Sequence, residues 1–334
     1  MRATGANKGA SIKITSTGLV DVHAHLVPDW YAERARNAGY EEPDGMASWP
    51  TWTAQAHVEM MDRCGIETAI LSLSSPGVHF GDDAAARSLA RQVNELAAET
   101  THDYPGRFGM FASLPLPDVD GALAEIAYSL DILGADGVIL ESNSDGIYLG
   151  DSRLEPVFAE LDRRSAVVFV HPTSPACWQK CALGRPRPMI EFIFDTARTI
   201  SDLLFAGTLN RHTRLKMIVP HCGGAIPVLA DRIDGFMGMT QGVGDDSPDV
   251  IAQLGRLYYD VAGTPFPRQL AALLSLVGNQ QILYGSDFPW TPAPLAERHA
   301  TSFGNEPAKG EHATWGAETT SNARNLLPQL IYRH

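Results

Sequence analysis

Short apolar runs recur along the chain, and most are continuous rather than alternating. They are "GLVDVHAHL" (18–26), "TAILSL" (68–73), "RFGMFASL" (107–114) and "GVILES" (137–142), then "AVVFVHP" (166–172), "LKMIVPH" (215–221), "LYYDVAG" (257–263) and "QILYGSDF" (281–288). Unbroken apolar runs bounded by turn and cap residues are the pattern of strands buried on both faces, as in a parallel sheet. Between them the period becomes helical. In "DDAAARSLARQVNELAAETTHDYP" (82–105), Ala86, Leu89, Ala90, Val93, Leu96 and Ala97 share one stripe, and Pro105 closes the segment. "DVDGALAEIAYSLDILGADG" (118–137) opens on an Asp cap and ends at Gly134, and "DSRLEPVFAELDRRS" (151–165) follows the same plan. Eight strand-like runs alternating with helices predict an α/β fold, a (β/α)8 barrel of the TIM type.

Two connections are too long for ordinary strand-to-helix loops and predict a distorted barrel. Residues 27–56 carry "EEPDGMASWPTW" and residues 172–188 carry "PTSPACWQKCALGRPRP"; each follows a strand that ends in histidine, and long loops of this kind are usually lids or binding loops. The small, polar residues 1–17 are expected to form a flexible N-terminal arm, leaving residues 18–334 as one barrel domain.

Composition narrows the functions. At 44% hydrophobic and 19% charged residues the chain can bury a large core and is not expected to be disordered. A net charge of -13 with no Lys/Arg cluster argues against a nucleic-acid-binding surface. No apolar run approaches the roughly 18 residues of a membrane span, and the first residues show no secretory pattern. The four cysteines form no CxxC pair, which fits a reduced, cytoplasmic protein.

The chemistry lies in what ends each strand. Strand 1 ends His23-Ala24-His25, strand 5 ends His171-Pro172, strand 6 ends His221-Cys222-Gly223-Gly224, and strand 8 ends Gly285-Ser286-Asp287. In a parallel barrel these ends share one face, the face on which active sites are built. His23 and His25, two apart in a strand, point the same way. Three imidazoles and a carboxylate suit one borderline divalent ion, Zn²⁺ first, with Mn²⁺, Fe²⁺ or Co²⁺ also accommodated. His79, on the loop after strand 2, stands at the same rim as a candidate substrate contact. Trp30, Tyr31, Trp52, Trp178, Phe288 and Trp290 are candidate ring walls. His57, in "TAQAHVEMMDRCG", reads as a surface or lid residue.

HxH after strand 1, "HP" after strand 5, "PHCGG" after strand 6 and "GSDFPW" after strand 8 resemble the amidohydrolase superfamily. More narrowly, they resemble its branch of α-amino-β-carboxymuconate-ε-semialdehyde decarboxylase (ACMSD) and aromatic acid decarboxylases. "RPMIEFIFDTAR" (187–198) and "LYYDVAGTPFP" (257–267) look most like the 6-methylsalicylate decarboxylase type. The resemblance implies a mononuclear metal on His23, His25, His171 and Asp287, with His221 and Asp287 as the catalytic pair and CO₂ as product. It also implies a homodimer in which Arg232 reaches the neighbouring site and pairs with a substrate carboxylate. Two departures refine this. The stretch "TWTAQAHVEMMD" lacks the arginine expected for a dicarboxylate semialdehyde, so a monocarboxylate is the better substrate. "GVILES" offers no lysine for a two-metal hydrolase. The expected activity is therefore metal-dependent decarboxylation of a small ortho-hydroxy aromatic acid, with His79, Trp178, Phe288 and Arg232 binding it. A metal-activated water cleaving a lactone, amide or C–C bond remains the alternative.

Overall fold

A computed structural model describes residues 18–241, 249–308 and 312–332; the proposed arm of residues 1–17 lies outside them. Eight parallel strands form the main sheet in chain order: β1 Leu19–His25, β2 Ile66–Ser72, β3 Phe108–Ser113, β4 Gly137–Glu141, β5 Val167–His171, β6 Lys216–Val219, β7 Tyr258–Asp260 and β8 Ile282–Leu283. The sheet closes on itself. Val22 N–H donates to the Tyr284 carbonyl at 3.0 Å and His25 N–H to that of Phe288 at 2.8 Å. All eight predicted runs are strands, and the barrel is the one expected.

The core has two layers. Val20, Val22, Ile70, Phe111, Ile139, Phe169, Ile218 and Leu283 fill the barrel interior, and Ala323, Leu326, Leu327 and Leu330 from the chain's last helical segment join them and plug one end. A larger cluster packs the outer faces of the strands against the helices. On the helix Asp83–Asp103, whose Asp82 caps the Ala85 N–H, Leu89, Ala90, Val93 and Ala97 of the predicted stripe belong to this cluster, Leu96 packs against it half-buried, and Ala86 is buried as well.

The two long connections are not bare loops. The first holds a helix, Asp29–Asn37, and the second a short helical turn, Trp178–Cys181. A correction concerns His57. It is fully buried on the helix Ala54–Cys64, with its Nδ1 accepting from Trp52 Nε1 at 3.0 Å and its ring edge-on to Phe288 at 4.7 Å. Trp52 Nε1 satisfies one nitrogen of this buried imidazole, and Nε2 is left without a hydrogen-bond partner.

Candidate active site

A strict two-residue period would place His23 and His25 opposite Val20 and Val22, outside the barrel. The strand avoids this with an irregularity. Asp21 pairs with Ala69 but Ala24 pairs with Leu71, so three steps of β1 match two of β2. The valines and the histidines thereby face the same interior. The buried Asp21 carboxylate holds the bulge, its Oδ1 accepting the backbone N–H of His23 at 3.1 Å and of Ser286 at 3.0 Å.

The four metal-ligand candidates converge. One donor atom from each of His23, His25, His171 and Asp287 lies within 4.8 Å of the others. Asp287 Oδ1 is 3.4 Å from His25 Nε2 and 3.7 Å from His23 Nε2, while its Oδ2 is 3.8 Å from His221 Nε2. Among the described residues this is the one such cluster. The backbone at its edge is strained: Asp287 (φ 58°), His221 (φ 53°) and Cys222 (φ 55°) are left-handed without being glycine, a cost of roughly 1–3 kcal/mol each that concentrates at functional sites.

His23 and His25 are steered from behind. His23 Nδ1 contacts Asp260 Oδ2 at 2.9 Å, and His25 Nδ1 contacts the Ser72 hydroxyl at 3.1 Å and its carbonyl at 3.2 Å. Asp260 Oδ1 also accepts the N–H of His221 at 3.0 Å. His171 Nδ1 faces Glu141 Oε2 at 3.5 Å. The remaining ring nitrogens, His23 Nε2 and His25 Nε2, are buried without a hydrogen-bond partner. Unpartnered buried nitrogens are costly unless something else satisfies them.

The electrostatics fit a cation. Burial lowers His25, and burial with the charges of His25 and His23 holds His171 well below the ordinary imidazole range, so both are neutral donors. Burial alone would lower His23 too, but the Asp260 carboxylate and hydrogen bond outweigh it and raise the imidazole to about 9. Burial opposes ionisation of Asp287, yet His221, His25 and His23 hold it well below the usual carboxylate range. The field at this point favours a positive charge, which a bound ion supplies. Orphaned nitrogens, neutral imidazoles and an ionised carboxylate make the donor set fit a borderline divalent metal.

A cavity of about 290 Å³ opens onto this centre, lined by His171, His221 and Asp287 and walled by Met46, Pro188, Met189, Phe192, Ile193 and Trp290, with Asp44 on its rim. A larger cavity of about 990 Å³ adjoins it across Asp44. His79 and Trp178 line the larger cavity, and His79 Nε2 is paired with Asp83 at 2.9 Å. Of the candidate ring walls, Trp290 lines the smaller cavity, with its Nε1 donating to Ser74 Oγ at 2.7 Å. Phe288 packs into the core against His57 instead. Tyr31 is buried with its hydroxyl on the Gly77 carbonyl at 2.7 Å. Arg232 is exposed on the helix Ile226–Gln241, over the Phe236 ring at 4.8 Å. Sequence reasoning missed Asp21, Asp44, Ser72, Glu141 and Asp260. The aspartate in "LYYDVAG", at a strand end like those of the histidines, was the available signal for Asp260.

Comparison with known proteins agrees with this geometry. A sequence model of the amidohydrolase family matches residues 20–301. The 6-methylsalicylic acid decarboxylase acuB of Aspergillus aculeatus is 36% identical over 326 residues, covering 93% of this chain and 96% of its own length. A crystal structure of an amidohydrolase II protein superposes with a TM-score of 0.85 at 34% identity, over 93% of this chain and 100% of that one. A 2,6-dihydroxybenzoate decarboxylase, solved with 2,6-dihydroxybenzoate, superposes with a TM-score of 0.78 at 25% identity, over 93% of this chain and 99% of that one.

Proposed function

The chain belongs to the amidohydrolase family, and on that premise we propose that it is a metal-dependent, non-oxidative decarboxylase of a small ortho-hydroxy aromatic carboxylic acid such as 6-methylsalicylate. The observation that carries the reading is a convergence: a His₃Asp donor set beside a free histidine, at a largely apolar cavity of about 290 Å³, the size class of a single-ring ligand. The relatives named for decarboxylation support the reaction over the hydrolytic alternative.

His23, His25, His171 and Asp287 would hold one divalent ion, with Zn²⁺ the first choice for this donor set. When bound, the ion supplies positive charge to the carboxylate and phenolate oxygens of the substrate. The rest falls to the chain. Losing CO₂ directly would leave an aryl anion, so the ring carbon is protonated first. Asp287, ionised at rest, first receives a proton from its neighbour His221 and relays it to the carbon bearing the carboxylate. The C–C bond to the carboxylate then breaks, its electron pair restores the aromatic ring, and CO₂ departs. His221, with Nε2 3.8 Å from Asp287 Oδ2, takes that proton from water and passes it to Asp287, so one solvent proton enters per CO₂ released. Met189, Phe192, Ile193 and Trp290 exclude water from the ring. The larger cavity, with His79 and Trp178 on its wall, serves as the approach to the centre.

The working unit in this reading is a homodimer. Val228, Phe236 and Met239 are exposed on the helix that carries Arg232, and Met189, Ile190 and Phe194 are exposed on the neighbouring segment. Met189 also lines the cavity, so the mouth borders an apolar surface that a second copy would cover. In this reading Arg232, exposed on that surface, would pair with the partner's substrate carboxylate. Metal analysis of the purified protein, with an ultraviolet screen of hydroxybenzoates, tests the reading. One divalent ion per chain and loss of a 2-hydroxybenzoate spectrum are expected. A protein that retains no ion, or a metal-loaded one that consumes no hydroxybenzoate, contradicts it.

A further inference from the structure

His23 and His25 have hydrogen-bonding partners at the nitrogen turned away from the centre; His171 lacks one. Its Nδ1 is buried without a hydrogen bond, and so is Glu141 Oε2, 3.5 Å away. Two buried polar atoms that face each other with no other partner each carry a cost of about 1–3 kcal/mol, which a hydrogen bond between them would remove. We propose that Glu141 is a positioning residue for the metal centre. It accepts a hydrogen bond from the Nδ1–H of His171, fixes the tautomer that frees Nε2 for the ion, and raises the basicity of that ligand, as carboxylates behind metal-bound histidines do.

The fold supports this placement. Glu141 ends β4, in register with His171 at the end of β5, so the two side chains are set side by side by the sheet itself. The side chain is braced on its far side by Gly77: a Cβ there would meet Glu141 Cγ at 3.1 Å, at a φ of +75° that itself favours glycine. Glu141 lines the larger cavity and His171 the smaller one, so the pair forms part of the wall between the two. Asp260 behind His23 is the precedent within this same centre.

The inference rests on the proposed metal centre, and its test reads metal rather than turnover. The full-length wild type, Glu141→Gln and Glu141→Ala are loaded with Zn²⁺ and titrated with a chelator, with circular dichroism and melting of the metal-free forms in parallel. Glu141→Ala is expected to release the ion at roughly 10–100-fold lower chelator concentration. Glu141→Gln, whose amide oxygen still accepts the Nδ1 proton without the charge, is expected to lie between it and the wild type, with metal-free melting unchanged. If Glu141→Ala does not fold, an affinity below wild type in Glu141→Gln decides in favour, and equal affinity decides against. Wild-type affinity in a folded Glu141→Ala overturns the inference and leaves the metal centre standing. A wild type that binds no ion overturns the functional reading itself.

Discussion

His23 and His221 are tied together by one carboxylate: Asp260 Oδ2 lies 2.9 Å from His23 Nδ1, while its Oδ1 accepts the His221 backbone N–H at 3.0 Å. A ligand and the proposed proton-handling histidine therefore share a single anchor. Asp260→Asn keeps the shape and removes the charge. It is expected to weaken metal binding by about 10–100-fold and to lower kcat even when metal is saturating, because His221 loses its fixed position. Dialysis followed by metal analysis, then kinetics in excess metal, separates the two effects. A variant with full kcat at saturating metal would show that the His221 link is idle.

Gly285 sits against His23. A Cβ at this position would meet His23 Cβ at 2.7 Å, with Ala262 Cβ at 3.2 Å and Asp260 Cβ at 3.4 Å. Gly285→Ala should push the ligand out of the cluster, costing on the order of 1–3 kcal/mol as an overpacked core position. Loss of bound metal with a retained far-ultraviolet spectrum is the expected result. Full metal content in this variant would mean that β1 yields without disturbing the site.

His57 makes acid stability measurable. Burial, helped by the Arg107 guanidinium, lowers its folded-state pKa from 6.5 to about 3. Below pH 6.5 the unfolded chain binds a proton that the folded chain refuses. The stability this residue allows is complete above that pH and is lost as pH falls from about 6.5 towards 3, by at most about 1.4 kcal/mol per pH unit. His57→Gln removes the titration while leaving an acceptor for Trp52 Nε1. Its melting temperature should decline less than that of the wild type between pH 6.5 and 4. Parallel declines would assign the acid sensitivity elsewhere.

Arg232 and the apolar helix around it separate assembly from chemistry. Val228→Lys is expected to shift the protein to monomer in size-exclusion chromatography. Arg232→Ala should keep the dimer but lose roughly 10–100-fold in kcat/KM, the range of a lost charged hydrogen bond. A monomeric wild type would remove Arg232 from the site.

The sequence made the barrel legible because its strands are buried on both faces and read as unbroken apolar runs between capped helices. The ligand set was legible because histidine is a poor core filler, so four of them at strand ends stand out. The bulge was not. Nothing in "LVDVHAH" shows that Val22 and His23 face the same interior, since that depends on the register against β2 and on Asp21 reaching Ser286 across the barrel closure. Asp260 and Glu141 were hidden because one acidic residue at a strand end looks like any helix cap. His57 was misread because histidine carries no burial signal of its own, although Met60, Met61 and Cys64 follow it at i+3, i+4 and i+7 on the same buried face, and its Trp52 partner lies on the preceding connection. Phe288 and Tyr31 show the same limit: composition marks an aromatic residue near a site but not whether its ring faces ligand or core.

The most direct measurement is deuterium incorporation during turnover. Metal-loaded protein is given 6-methylsalicylate and related 2-hydroxybenzoates in D₂O, and CO₂ and product are followed together. The expected result is CO₂ release matched by deuterium at the vacated ring carbon, abolished in His23→Ala and in Asp287→Ala, with bound metal also lowered in the first. No CO₂ and no ring deuterium from any 2-hydroxybenzoate, or full activity in either variant, would contradict a decarboxylase built on this centre.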